Sequence, residues 1–278
     1  SYFPQLEETR HVSWLRYVRA LIDGDPVQAE RFVQEGYERA NVAEDHDAQF
    51  VLMAQMSMLR WLQGRGIEME SSFLKGRQLY PDEAVWTSGL AWVWATQGRH
   101  SAAKGLVESL GTVETWNPDR NWLVAACILA EAYYLLGETD GAQALYEELL
   151  PYHERLAHLG AGVSLWGPVA RSLAILATLL GEPVEALQHY RTSLNVCAKI
   201  GAQAWLVESL IDLARLLIDQ DQEGNSQEAI KLLTEAATTS RTLELHSFAD
   251  TATQLLDSLG SGLPDTAEPT LQPQSHQA

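Results

Sequence analysis

The chain has 278 residues, 46% of them hydrophobic, enough to bury a sizeable core in one elongated array or about two globular units. Aspartate and glutamate number 37 against 19 lysines and arginines, a net charge of −18. Such a surface repels a phosphate backbone, and no basic stripe interleaved with aromatics is visible, so neither nucleic acid nor an anionic membrane is expected as a direct partner.

The opening segment, SYFPQLEETR, has no basic and apolar regions of the kind a secretory signal needs, and it does not begin with methionine; a piece of a longer chain is expected. A recurring triplet follows. A glycine is followed five residues later by a compact residue, and a larger apolar residue lies four beyond that. The sets are Gly24–Ala29–Val33, Gly64–Met69–Phe73, Gly98–Ala103–Val107, Gly137–Ala142–Tyr146, Gly181–Ala186–Tyr190 and Gly224–Ala229–Leu233. Glycine ends the first helix of a pair because it accepts the left-handed backbone at low cost. The compact residue lets the second helix approach the first, and the larger one fills the seam. Upstream, Leu90-Ala91 with Trp94, Leu129-Ala130 with Tyr133 and Leu173-Ala174 with Ala177 mark the buried face of the first helices. Strand signals are weak, so residues 10–257 are expected to be helical throughout, as about twelve helices. No stretch approaches about 18 uninterrupted apolar residues, so no membrane span is expected.

Within this pattern, Gly160-Ala-Gly162 is expected to be the loop before the fifth repeat. The two histidines of HERLAH, His153 and His158, stand five apart and diverge around a helix, so a shared metal is not expected. There is no GxxxxGK[ST] loop and no Ser/His/Asp or Cys/His constellation, and no cofactor is expected. Cys127 and Cys197 stand in apolar helical contexts and read as small core residues. From Ser261 the composition turns to Pro, Ser, Gln and Thr, so residues 1–260 are expected to form the array and 261–278 a disordered tail.

The segments LAEAYYLLGETDGAQALYEELLP (Leu129 to Pro151) and LAILATLLGEPVEALQHYRTSL (Leu173 to Leu194) resemble the tetratricopeptide repeat. The glycines, however, are spaced 34 to 44 residues apart rather than at a constant 34. NWLVAACILAEAYYLLG, GAGVSLWGPVARSLAILATLLGE and GAQAWLVESLIDLARLL further resemble the C-terminal helical regions of large bacterial signalling ATPases, including MalT-like and LuxR-type regulators and some nucleotide cyclases. The resemblance implies an all-α fold, a right-handed superhelix (α-solenoid) of about six helix-turn-helix repeats. It implies a cytoplasmic interaction scaffold in signal transduction or transcription regulation, with a protein or peptide in its concave groove. A small-molecule effector is the alternative occupant, and a stand-alone enzyme in a closed pocket is the third reading.

In tetratricopeptide arrays the first helices line the concave face. Counting from the Leu-Ala pairs places His11, Trp14 and Val18; Ala54, Met58 and Trp61; Ser88 and Trp92; Cys127, Glu131 and Tyr134; Arg171, Ile175 and Thr178; and Glu208, Asp212 and Arg215 on that face. The binding candidates are Trp61, Trp92, Glu131, Tyr134, Arg171, Glu208, Asp212 and Arg215. The N-terminal half is aromatic and the C-terminal half ionic, which suits a peptide with an apolar end and a charged end. The same residues also read as packing: tryptophans filling gaps between long helices, and arginines pairing with acids on adjacent helices.

Overall fold

A computed structural model describes residues 4–43, 46–116, 119–220 and 224–262, without the side chains of 4–11, 39–43, 46–49 and 261–262. Its helices pair along the chain. The pairs are α1 (Pro4–Asp23) with α2 (Pro26–Ala43), and α3 (His46–Leu62) with α4 (Glu70–Leu79) across a 3-10 turn. They continue with α5 (Ala84–Thr96) and α6 (His100–Leu110), then α7 (Trp122–Leu136) and α8 (Ala142–Leu149). The last are α9 (Val169–Leu179) with α10 (Pro183–Ile200), and α11 (Gln203–Gln220) with α12 (Asn225–Thr242). A further helix, α13 (His246–Gly262), lies on α12. The fold is an all-α helical-repeat solenoid.

The recurring triplets have the structure that their residues call for. All six glycines have positive φ, from 63° to 88°. Ala29, Met69, Ala103, Ala142, Ala186 and Ala229 are buried, as are Val33, Phe73, Val107, Tyr190 and Leu233, while Tyr146 is half-buried. Gly224 does its work differently from the rest: it caps the start of α12, and α11 ends earlier, at Gln220. Cys127 and Cys197 are free and buried, and burial pushes each thiol up to about 12.

Two expectations need correction. The interval 10–257 is not wholly helical, because β1 (Leu156–Leu159) and β2 (Ser164–Pro168) form an antiparallel hairpin between α8 and α9. Gly160-Ala-Gly162 is its turn, with φ of 56° and 79° at the two glycines. His158 therefore lies on a strand, not on a helix shared with His153. The helices among the described residues number thirteen, against about twelve expected, and the last runs to Gly262. Residues 263–278, most of the expected tail, lie outside the described residues.

The hairpin turns inward. Its pairing skips one residue: Ala157 faces Gly167 and His158 faces Leu165, leaving Trp166 in a bulge. A bulge re-aims the extra side chain, and Trp166 is buried beneath the ladder, its ring edge-on to Trp92 at 5.6 Å. Leu159, Leu165 and Trp166 cover Met58 on α3, Phe73 on α4, Trp86 on α5 and Ile128 on α7, with a void of only about 30 Å³ between them. Gln55 on α3 donates to the Val163 carbonyl at 3.0 Å, and Tyr17 on α1 donates to the Gln55 carbonyl at 2.6 Å.

The two ends of the array meet around this plug. Trp61 on α3 stacks on Trp205 of α11, with centroids 6.0 Å apart, and meets Phe248 of α13 edge-on at 5.5 Å. Trp205 in turn donates its indole N–H to the Trp166 carbonyl at 2.7 Å. Gly167 is required at this junction: its φ is 129°, and a Cβ there would come within 2.5 Å of the Trp205 ring. Buried aromatic surface and these hydrogen bonds thus hold the hairpin in place.

Candidate functional site

A pocket of about 400 Å³ remains on the C-terminal side of Trp92. Four successive first helices build it. Trp92 and Thr96 come from α5, Glu131 and Tyr134 from α7, Arg171, Ile175 and Thr178 from α9, and Asp212, Arg215 and Asp219 from α11; Tyr190 of α10 contributes as well. Each set recurs at three- or four-residue spacing, which places it on one helix face. Six of the eight candidates, Trp92, Glu131, Tyr134, Arg171, Asp212 and Arg215, line this space.

Arg171 is the hub. Its Nη1 donates to Glu131 Oε1 at 2.7 Å and its Nε to Asp212 Oδ2 at 2.9 Å, and its Nη2 lies 3.0 Å from Glu208 Oε1. All three nitrogens of the guanidinium are engaged, and all four side chains are about 11% exposed. Burial opposes the Arg171 charge, but Glu208, Glu131 and Asp212 outweigh it and hold the group well above its ordinary value. Arg215 bonds Asp212 at 3.0 Å from the rim, where it is 45% exposed.

Glu208 is the least satisfied member. Its Oε2 is buried with no hydrogen-bond partner among the described residues. Burial pushes its carboxyl well above the usual range; Arg171 opposes the rise and Glu131 and Asp212 add to it. One buried guanidinium faces three carboxylates, and the third is held neutral more cheaply than ionised. Tyr190 and Tyr134 are also raised, first by burial and then by Asp212. Tyr134 keeps 43% of its surface exposed at the mouth.

The remaining candidates sit elsewhere. Glu208 is not among the pocket-lining residues; it lies behind Arg171. Trp61 is not in a groove at all, because Trp205 and Phe248 cover it. Of the other inward positions, Met58 lies under the hairpin and Cys127 is buried, while the His11 side chain lies outside those described. Sequence counting missed Thr96, Tyr190 and Asp219 in the pocket, and the hairpin entirely. Thr96 and Asp219 stand four residues beyond Trp92 and Arg215 on the same faces, so one more helical step finds them. The hairpin had a signal too: two short apolar runs flanking Gly160-Ala-Gly162 and stopped by Gly167-Pro168.

The tetratricopeptide repeat family model matches residues 123–148 and 168–192, the pairs α7–α8 and α9–α10. The match covers two of the helix pairs and supports a tetratricopeptide-like repeat array. Repeats of this type generally mediate protein–protein interaction. The two matched repeats supply Glu131, Tyr134, Arg171 and Thr178, the centre of the pocket. No curated protein matches the chain. Among the described residues, no helix is long and apolar enough to cross a membrane.

Proposed function

We propose that the array is an interaction module that receives a segment of a partner protein in the pocket between α5, α7, α9 and α11. The observation that carries this reading is the contrast in filling: the hairpin occupies the N-terminal concave face down to about 30 Å³, while about 400 Å³ stays open beside it. A peptide therefore inserts one or two side chains here rather than running the length of the groove. The resemblance to MalT-like and LuxR-type regulators supports a place in a cytoplasmic bacterial signalling or regulatory protein. A small-molecule effector is the second reading, favoured by the pocket's volume, which falls in the ordinary range for such ligands. Catalysis has less support, because the raised carboxyl, Glu208, does not line the open space.

The test is a random peptide library displayed on phage and selected on the full chain. Thr178→Trp fills the pocket from its half-buried wall. Selected peptides are expected to bind this variant at least ~10-fold more weakly, about 1.4 kcal/mol. Their binding to Leu74→Ala, an exposed position on α4, should be unchanged. Peptides that bind the Thr178→Trp protein as well as the original would place the interaction elsewhere.

A further inference from the structure

Resting on the reading of this pocket as a partner site, we infer that the group it takes is a basic side chain, a lysine ammonium or an arginine guanidinium. A sequence view makes Arg171 the natural receptor for a partner's carboxylate. The geometry removes that option: Nε, Nη1 and Nη2 of Arg171 are already committed to Asp212, Glu131 and Glu208. A carboxylate entering here would meet a spent Arg171 ringed by three acids, with only Arg215 at the rim, itself paired with Asp212, to receive it. It would lose its own hydration with little return.

Donors fare better. The acids around the space outnumber the bases: Glu131, Asp212 and Asp219 line it with Arg171 and Arg215, and Glu208 stands behind. The protein itself demonstrates the preference. Trp166 of the hairpin lies against this pocket, and its indole N–H donates to Glu131 Oε1 at 3.2 Å while its ring packs edge-on against Trp92. An N–H donor on a flat apolar body is what the groove's internal occupant supplies. A guanidinium, or an ammonium on its methylene stem, presents the same two features with a charge added. Trp92 and the exposed ring of Tyr134 provide aromatic surface for the stem or the cation. Asp219, exposed at the rim of α11, adds a charge that no contact with Arg171 offsets.

The same peptide selection separates this inference from the reading beneath it. Peptides excluded by Thr178→Trp are expected to share one lysine or arginine. Replacing that residue by norleucine should weaken binding at least ~10-fold. Asp219→Lys should weaken it several-fold without lowering the melting temperature. If pocket-dependent peptides share no basic residue, or tolerate norleucine within about twofold, the inference falls and the site stands. If basic peptides bind the Thr178→Trp protein undiminished, they report only the net charge of −18, and the inference falls with the site. A selection that yields no pocket-dependent peptide likewise counts against both.

Discussion

The two halves of the concave face have the same helical scaffold and opposite fates. In the N-terminal half, Met58, Phe73, Trp86 and Ile128 are sealed by Leu165 and Trp166 of the hairpin. In the C-terminal half, Trp92, Tyr134 and Thr178 border open space, and Arg171 of α9 pairs with carboxylates of α7 and α11 that outnumber it. Large aromatic surface on an inward face is thus a demand for burial, which the chain meets from within. Charged residues on the same face cannot be covered by an apolar hairpin without stranding them, so that half stays accessible to water. The concave tryptophans are mostly core, and the ionic cluster marks where a partner can enter.

The comparison breaks first at Arg171. Replacing it with methionine leaves Glu131, Glu208 and Asp212 facing one another with only Arg215, at the rim on Asp212, to offset them. A loss of about 3–5 kcal/mol is expected, read by denaturant unfolding. A stability change below ~1 kcal/mol would mean that the cluster is a solvated surface network. In the other half, Trp166→Ala should cost about 3–5 kcal/mol, because it empties the centre of the plug and removes the side chain that Trp92 and Glu131 contact. Thermal melts should show this variant failing well before Tyr134→Ala, which removes an exposed ring.

Two finer contrasts sharpen the picture. A methyl group added at Gly89 on α5 would overlap the Phe73 ring in the filled half, so Gly89→Ala should cost about 1–3 kcal/mol. Thr178→Val, in the wall of the open half, should stay within ~0.5 kcal/mol of the original. Equal costs would show that the pocket is as tightly packed as the plug.

The smallest effect depends on pH. Glu208 has its folded carboxyl raised above the ordinary value near 4.5. The folded state therefore binds the extra proton between that value and the raised one, and Glu208 costs stability as pH climbs through this window. Glu208→Gln should melt higher than the original chain at pH 8, with the gap narrowing as pH falls toward 5. A gap that widens on acidification would mean that Glu208 is held ionised by Arg171. Glu70 runs the other way, since bonds from Arg99 and Trp94 lower its carboxyl and their contribution fades on acidification.

Much of the scaffold was legible because its causes are local. Gly24, Gly64, Gly98, Gly137 and Gly181 turn where a left-handed residue is needed, and the residue five positions on is buried each time. The facing of Glu131, Tyr134, Arg171, Asp212 and Arg215 onto one space followed from helical spacing on neighbouring first helices. Trp61 and Glu208 were misplaced for the same reason as each other. Both sit on inward faces, but a side chain's neighbours across the superhelix come from residues more than a hundred positions away in one case and about forty in the other.

By itself, the sequence determined the repeat unit, the helix pairing, the burial of the two thiols and the inward direction of the ionic side chains. These rest on backbone preference and periodicity, which act over a few residues. Only the tertiary structure decided that residues 156–168 fold inward as a hairpin, that Trp61 and Trp205 close the array on itself, and that Arg171 is fully used by three acids. Those outcomes depend on which surfaces meet once the solenoid has curved. The curvature accumulates from small rotations between successive pairs, and no single repeat carries it.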